Sequence, residues 1–195
     1  FGISFTLTQL NQAGALVHIY NDGSVKINHG GTEMGQGLFQ KVAQVAANVF
    51  GIETNKVQIT ATDTAKVPNT SATAASSGSD LNGMAVKQAC DIICSRMSSY
   101  FIEKYRPNTN DVKFENGRVK GSNFDISFED AVQEIYTQRI SLSSTGFYKT
   151  PDLQWDRILG KGRPFYYFAY GAAVSEVVVD TLTGEFKLLR TDILH

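Results

Sequence analysis

A glycine-rich stretch, residues 29–37, constrains this chain most because it joins a predicted hairpin directly to a predicted helix. It reads His-Gly-Gly-Thr-Glu-Met-Gly-Gln-Gly, with four glycines in nine residues. Before it, residues 15–20 and 24–28 alternate as two strands, and the Asn-Asp-Gly between them favours a tight turn. After it, apolar residues recur at helical spacing over Leu38–Phe50, and Gly51 suits a left-handed C-cap. The stretch is therefore predicted to be a loop held between two regular elements.

A second loop, residues 63–79, is rich in small and hydroxylated side chains and precedes the longest helical pattern. Residues 56–61 alternate as a strand before this loop. Apolar residues then recur every three or four positions from 80 to 105, and Ser79 or Asp80 is the predicted N-cap. Pro107 is expected to end the helix because proline lacks a backbone N–H.

The rest of the chain predicts short strands and one short helix. A hairpin over 112–120 and a helix from Ser127 to residue 136 lie in segment 107–139, which is expected to be a peripheral insertion. β-Branched and aromatic residues predict strands over 140–148, 165–179 and 186–190. Because strands and helices mix without strict βαβ alternation, the predicted fold class is α+β, a layered mixed sheet with helices. Residues 1–195 are expected to form one domain.

Composition excludes two classes of partner. The 18 basic and 19 acidic residues give a net charge of -1, so no positive field exists to attract nucleic acid. No run reaches the roughly 18 consecutive apolar residues that a membrane span needs. Cys90 and Cys94 stand one helical turn apart in an apolar stretch, which predicts two buried thiols and favours a reducing, cytoplasmic setting.

Both loops stand immediately before a helix, where unpaired backbone N–H groups favour an anion. The first loop matches neither a P-loop nor a dinucleotide fingerprint, since it lacks Gly-Lys-Ser/Thr and a third correctly spaced glycine. Two such loops could clamp one polyanionic ligand from two sides. The alternative is that their hydroxyls only cap helices and satisfy local turns. Composition leaves both interpretations open.

The sequence of these two loops resembles that of the molybdopterin-binding (large) subunit of xanthine dehydrogenases of the bacterial type. The resemblance rests on residues 29–37 and on Asn-Thr-Ser-Ala-Thr-Ala-Ala-Ser at 69–76. Residues 1–6, 10–15, 141–148 and 190–193 also look like segments of that family in the same order. It is weakest over 100–139. The resemblance implies part of the molybdenum-cofactor-binding domain of the xanthine oxidase family, and the chain is expected to be a piece of a longer subunit.

The resemblance implies cofactor and substrate roles for particular residues. The residues that match the family's two cofactor-contacting loops are Met34, Gly35, Gln36, Ala75, Ser76, Ser77, Gly78 and Ser79. The Gln36 amide offers a donor and an acceptor to the pterin edge, although it could instead bond its own loop. Phe5 and Thr6 match the pocket that receives the purine, and Leu10 matches an apolar wall farther out.

No residue of the chain is expected to act as catalyst or metal ligand. Glu33 is expected to make local hydrogen bonds within its loop, and His29 is expected to be a structural partner. In the family the glutamate base lies beyond position 195, while the substrate-binding Glu and Arg lie upstream of position 1. The chain by itself is therefore expected to be inactive.

For the intact enzyme, the resemblance implies a molybdenum hydroxylase that oxidises xanthine or hypoxanthine to urate. Electrons then pass through iron–sulfur clusters and FAD, on other domains or a second subunit, to NAD. The implied partners are a purine, that iron–sulfur/FAD unit and the remainder of its own subunit, in a hetero-oligomer. Two alternatives stay open: an aldehyde oxidase or other N-heterocycle hydroxylase of the same family, and a non-catalytic isolated domain.

Overall fold

The computed structural model describes residues 10–66, 69–74, 76–108, 111–168 and 170–194. It contains three α-helices and eleven short strands in the described ranges. In chain order the elements are β1 (Gln12–Ile19), β2 (Val25–His29), α1 (Leu38–Phe50), a 3-10 turn (Thr54–Lys56), β3 (Val57–Ile59), α2 (Gly78–Tyr105), β4 (Lys113–Glu115), β5 (Arg118–Gly121), β6 (Phe124–Ser127), α3 (Phe128–Thr137), β7 (Ser143–Lys149), β8 (Gln154–Asp156), β9 (Lys161–Arg163), β10 (Ala172–Val179) and β11 (Phe186–Leu194).

The central sheet has four strands in the order β3-β2-β1-β7. The predicted hairpin is confirmed, since β1 and β2 pair antiparallel with Val17 opposite Ile27. β7 pairs antiparallel with the other edge of β1, whereas β3 runs parallel to β2. Alternate residues of β1 point to one face and are buried, as period-two alternation requires: Ala13, Ala15, Val17 and Ile19. The mixed sheet with helices confirms the predicted α+β class.

Two helices cover the buried side of this sheet. α1 has the predicted bounds and ends at Gly51, whose φ of 64° is the left-handed C-cap conformation that glycine adopts without strain. α2 packs across β1 and β7 through a buried apolar stripe that includes Ala85, Ala89, Ile93, Met97 and Phe101. It ends at Tyr105, two residues before Pro107, as predicted. No helix in the described ranges is long and apolar enough to cross a membrane.

The predicted N-cap of α2 is wrong. The helix begins at Gly78, so Ser79 and Asp80 both lie inside its first turn, and Ser77 occupies the cap position. Ser77 forms no side-chain cap because its hydroxyl donates to the carbonyl of Ala74 at 2.9 Å. The turn before the helix thus uses the hydroxyl that would otherwise cap it.

Segment 107–139 forms a three-stranded sheet, β4-β5-β6, followed by α3. The third strand, β6, was not predicted. Ser127 caps α3 as predicted, accepting from the backbone N–H of Asp130 at 3.0 Å. Val119 and Phe128 of this segment are fully buried in the same apolar cluster as the central sheet. That the segment is an insertion stays a prediction.

Two hairpins, β8-β9 and β10-β11, complete the described chain. The predicted strand over 165–179 is shortened to β10, because the partner strand β11 ends opposite Ala172 at Leu194. β11 itself is longer than the predicted 186–190. Val177 pairs with Leu188 on one face, and Val178 lies on the other; all three are at least half exposed. Within the described residues, therefore, both faces of this hairpin remain uncovered.

Candidate functional site

The first loop, residues 30–37, is built around the carboxylate of Glu33. This carboxylate accepts backbone N–H groups of Gly35 at 2.9 Å, Gly37 at 3.0 Å and Phe39 at 3.0 Å. The predicted local role of Glu33 is confirmed. Phe39 makes the largest contribution among these donors, which together hold the pKa of Glu33 below its usual value. The carboxylate therefore takes the place of an N-cap at the start of α1, where Gly37 has no side chain to offer.

The Gln36 side chain bonds its own loop. Its Oε1 accepts the backbone N–H of Met34 at 2.6 Å, and its Nε2 donates to the carbonyl of Thr32 at 2.8 Å. A primary amide has two donor hydrogens and two acceptor lone pairs, so one donor and one acceptor position remain for a ligand. Met34 is 66% exposed, and among the described residues nothing beyond its chain neighbours lies within 4 Å of a Cβ placed at Gly35. The outer surface of this loop is therefore open.

The second loop, predicted over residues 63–79, ends at Ser77, because α2 begins at Gly78. Ser76 has a φ of 60°, a left-handed conformation that turns the chain sharply before the helix. Ser77 is buried, whereas Gly78 and Ser79 form the first turn. The first amides of a helix have no intrahelical acceptor, and those of Gly78 and Ser79 have none elsewhere among the described residues. Two backbone donors at the positive end of a 28-residue helix are thus available.

The structure brings the two loops into contact. The backbone N–H of Thr32 donates to the hydroxyl of Thr73 at 2.8 Å. A Cβ at Gly31 would lie 2.6 Å from Leu38 and 2.7 Å from the Asn82 amide, so the backbone of the first loop rests directly on α2. Sequence reasoning missed Thr32, Thr73 and Asn82. For Asn82 the signal was present, because it is a polar residue next to the buried stripe of α2.

His29, at the end of β2, supports the first loop from beneath. Its ring is 2% exposed, and its Nδ1 accepts the backbone N–H of Gly31 at 3.0 Å. The ring packs edge-on against Phe39 with 5.2 Å between centroids. Burial lowers the pKa of His29 to about 4, and interaction with the Asn82 side chain only partly opposes this effect. The imidazole is therefore neutral at physiological pH, in agreement with its predicted structural role.

Three of the predicted site residues, Phe5, Thr6 and Ala75, lie outside the described residues. Leu10 opens the described chain and is 56% exposed. Its carbonyl accepts the hydroxyl of Ser71, which also accepts the backbone N–H of Gln12 at 3.0 Å. Leu10 consequently lies beside the second loop, at the edge of the surface that the two loops form.

The part of the chain that the structure describes contains no group of three or more His, Cys, Asp or Glu side chains able to hold a metal ion. Cys90 is buried as predicted, whereas Cys94 is only partly so, and both thiols are free. Burial raises the pKa of both, to about 12 for Cys94, so neither supplies a thiolate at physiological pH. The chemistry available at the loops is hydrogen bonding by amides and hydroxyls.

Sequence comparison identifies the family. The profile of a molybdopterin cofactor-binding domain matches residues 1–195. The chain belongs to this family. It is 50% identical over 194 residues to the xanthine dehydrogenase/oxidase of Gallus gallus and 50% identical over 194 residues to the xanthine dehydrogenase of Oryza sativa subsp. japonica. Each match covers 100% of this chain but 13% of the relative, so the chain spans a small part of their length.

Solved structures share the fold of this cofactor-binding domain at lower identity. Quinoline 2-oxidoreductase from Pseudomonas putida 86 superposes with a TM-score of 0.79 at 20% identity, over 98% of this chain and 25% of that one. The aldehyde oxidoreductase from Desulfovibrio desulfuricans ATCC 27774 gives a TM-score of 0.70 at 21% identity, over 97% and 18%. These neighbours confirm the predicted fold.

The loop geometry fits the cofactor of this family. Molybdopterin carries a phosphate, and the amides of Gly78 and Ser79, which have no acceptor among the described residues, are donors of the kind that hold phosphate without a basic side chain. Its pterin is a flat ring rich in heteroatoms, for which Gln36 keeps one donor and one acceptor position. The empty space beside Gly35 lets such a ring approach the backbone closely. The residues present thus match both ends of the ligand.

Proposed function

We propose that this chain is the part of a molybdenum hydroxylase that holds molybdopterin and lines the pocket for a purine. The observation that carries the proposal is the joined pair of loops, each at a helix start, with unpaired donors on one and an open face on the other. The relatives named xanthine dehydrogenase, at 50% identity along the whole chain, support xanthine or hypoxanthine as the substrate and urate as the product.

In this proposal the two loops divide the cofactor between them. Ser76 to Ser79, with Ala75 before them, hold the phosphate through backbone amides and hydroxyls at the start of α2. Met34, Gly35 and Gln36 contact the pterin from the first loop. When bound, the molybdenum centre supplies the two-electron oxidation of the substrate. The chain's own residues bind and orient, and none of them is assigned a proton transfer.

Substrate contacts are proposed for three residues near the beginning of the chain. Phe5 supplies an aromatic surface to the purine, which adds roughly 0.5 to 1.5 kcal/mol beyond simple burial. Thr6 supplies a hydroxyl near the polar rim of the ring, and Leu10 forms an apolar wall. The exposure of Leu10 beside the second loop is consistent with such a position.

The remaining parts of the reaction are proposed to lie elsewhere in the intact protein. Iron–sulfur clusters and FAD, on other domains or a second subunit, carry the electrons to NAD, in a cytoplasmic hetero-oligomer. The exposed apolar hairpin β10-β11 supports contact with the remainder of the same subunit, because large uncovered apolar surfaces mark interaction sites.

A second candidate is an aldehyde oxidase or another N-heterocycle hydroxylase. It is favoured by the shared fold of the quinoline and aldehyde oxidoreductases, although at 20% and 21% identity. The upstream residues that grip the substrate would distinguish these enzymes, since a purine requires an acidic and a basic partner there. Steady-state rates of the intact enzyme with xanthine, an aldehyde and quinoline as separate substrates discriminate between the two candidates.

The experiment that tests the proposal compares this purified chain with the full-length protein assembled with its redox partner. Molybdenum and pterin are quantified in both samples, and both are assayed for xanthine-dependent reduction of NAD. We expect cofactor and activity in the assembly, and neither cofactor nor activity in the chain alone. Activity in the chain alone would mean that the catalytic residues lie within it and not elsewhere in the intact protein. An assembly without pterin would overturn the proposed function.

A further inference from the structure

Two buried polar atoms face the junction between the loops without a formed hydrogen bond. They are Nε2 of His29 and Oδ1 of Asn82, on side chains that are 2% and 3% exposed. Because Nδ1 of His29 accepts from Gly31, the neutral ring carries its proton on Nε2. One atom is therefore a donor and the other an acceptor. Their side chains already interact, since Asn82 raises the pKa of His29 against the effect of burial.

Asn82 connects this pair to the second loop. Its Nδ2 donates to the carbonyl of Gly78 at 2.8 Å, one turn earlier in α2. The same amide group sits against the backbone of Gly31, where a Cβ would approach it to 2.7 Å. Asn82 thus lies between the residue that begins the first loop and the residue whose amide begins α2.

Hydrogen bonds within the first loop fix its shape. Its contacts with the rest of the protein therefore determine where its outer, ligand-facing surface lies. Glu33 and Gln36 tie the loop's own amides together. The loop is joined to α1 by the bond from Phe39 to Glu33 and to β2 by the bond from Gly31 to His29. It is also held by the contact of Thr32 with Thr73 and by the bond from Thr62 to the carbonyl of Gly31 at 2.9 Å. The His29 and Asn82 side chains lie buried at this junction, where an unpaired polar group is costly and a hydrogen bond is strong.

We propose that His29 and Asn82 are positioning residues that hold the first loop and the start of α2 in one fixed arrangement. In this arrangement Nε2–H of His29 donates to Oδ1 of Asn82, and both loops grip the cofactor together. The inference rests on the proposed function, in which both loops bind molybdopterin. Neither side chain touches the cofactor, so both act through the backbone of Gly31 and Gly78.

The test uses the full-length, cofactor-loaded protein and follows the release of pterin by the fluorescence of its oxidised form. His29→Gln keeps a donor near the position of Nε2, whereas His29→Asn keeps only an acceptor near the position of Nδ1. Asn82→Leu removes the acceptor. We expect about tenfold faster release for His29→Asn and for Asn82→Leu, because each leaves a buried polar partner unsatisfied. His29→Gln keeps a donor for Asn82 but loses the Nδ1 acceptor of the Gly31 N–H, so it should also release pterin faster than the original protein.

The double variant His29→Asn/Asn82→Leu should be no worse than Asn82→Leu alone, because Asn82→Leu already breaks the proposed bond to His29 together with the bond to Gly78. Val86→Ala is the matched control, since Val86 is a buried apolar residue of α2 that forms no part of the proposed pair. It should lower thermal stability and leave pterin release unchanged.

Three outcomes would overturn the positioning role: release by His29→Gln at the original rate, release by the double variant that is faster than by Asn82→Leu alone, or faster release from Val86→Ala. Failure of the proposed function looks different, because the original full-length protein would then contain no pterin at all. A preparation that retains pterin, with every variant releasing it at the original rate, overturns only the inference about His29 and Asn82.

Discussion

Gly146 marks the closest approach between α2 and the central sheet, and adding one methyl group there should separate them. Gly146 lies in β7 opposite Ala15, and its missing side chain faces the helix backbone. A Cβ at this position would lie 2.1 Å from the carbonyl oxygen of Ala85 and 2.7 Å from the backbone nitrogen of Ala89. Both atoms belong to a helical backbone, so neither can rotate away as a side chain would.

The cost of Gly146→Ala follows from the displacement it requires. The optimal van der Waals separation of non-bonded atoms is about 3.5 Å, so α2 or β7 must move by roughly 1 Å. That movement loosens the buried stripe against β1 and β7, and overpacking of this kind costs about 3 kcal/mol. With a typical urea dependence of about 2 kcal/mol per molar, the unfolding midpoint should fall by about 1.5 M.

Gly83→Ala is the matched control, because it makes the same substitution within α2. A Cβ at Gly83 would meet Val45 at 3.5 Å, an ordinary van der Waals contact, and alanine stabilises a helix interior by about 0.5 to 1 kcal/mol. Urea unfolding followed by far-ultraviolet circular dichroism should therefore shift in opposite directions for the two variants. A Gly146→Ala midpoint equal to that of the original chain would refute the close approach of α2 and β7.

Three further expectations concern the pH dependence of stability, the self-association of the chain, and the separate roles of Gln36 and Phe5 in binding cofactor and substrate. Burial lowers the pKa of His29 from 6.5 to about 4, so its contribution to stability is complete above pH 6.5. This contribution should be lost as the pH falls from 6.5 towards 4, which lowers the free energy of unfolding by up to about 3 kcal/mol. His29→Asn should make the free energy of unfolding depend less on pH over the same range. Equal slopes in the two proteins would contradict this. The purified chain should self-associate through its uncovered hairpin, and Val177→Lys should weaken association; monomers at all concentrations in size-exclusion chromatography would count against it. In the intact enzyme, Gln36→Ala should lower molybdenum content more than purine affinity and Phe5→Ala the reverse; equal molybdenum loss in both would show that the roles are not divided.

Local patterns predicted the elements that are stabilised by their own sequence. α1 was predicted with the observed bounds, because its apolar spacing and Gly51 both specify where it lies and ends. The hairpin of β1 and β2 follows from alternation and its Asn-Asp-Gly turn. β6, β8 and β9 were missed, whereas the equally short β4 and β5 were found because Asn116-Gly117 marks the turn between them.

The candidate site could be predicted only in part. The two loops were found through their composition and their resemblance to a family, and Glu33 and His29 behave as expected. The bond between Thr32 and Thr73 joins residues 41 positions apart, and the approach of His29 to Asn82 depends on how α2 crosses the sheet. Neither has a local sequence pattern. The N-cap prediction for α2 was wrong because the Ser77 hydroxyl bonds the preceding turn instead.

A crystal structure of the full-length protein with its cofactor tests the central claim, that the two loops hold molybdopterin together. The expected result is a phosphate oxygen within hydrogen-bonding distance of the Gly78 and Ser79 amides, with the pterin beside Gln36. A pterin bound away from both loops, for example in the surface groove lined by Tyr20 and Tyr136, would contradict the claim.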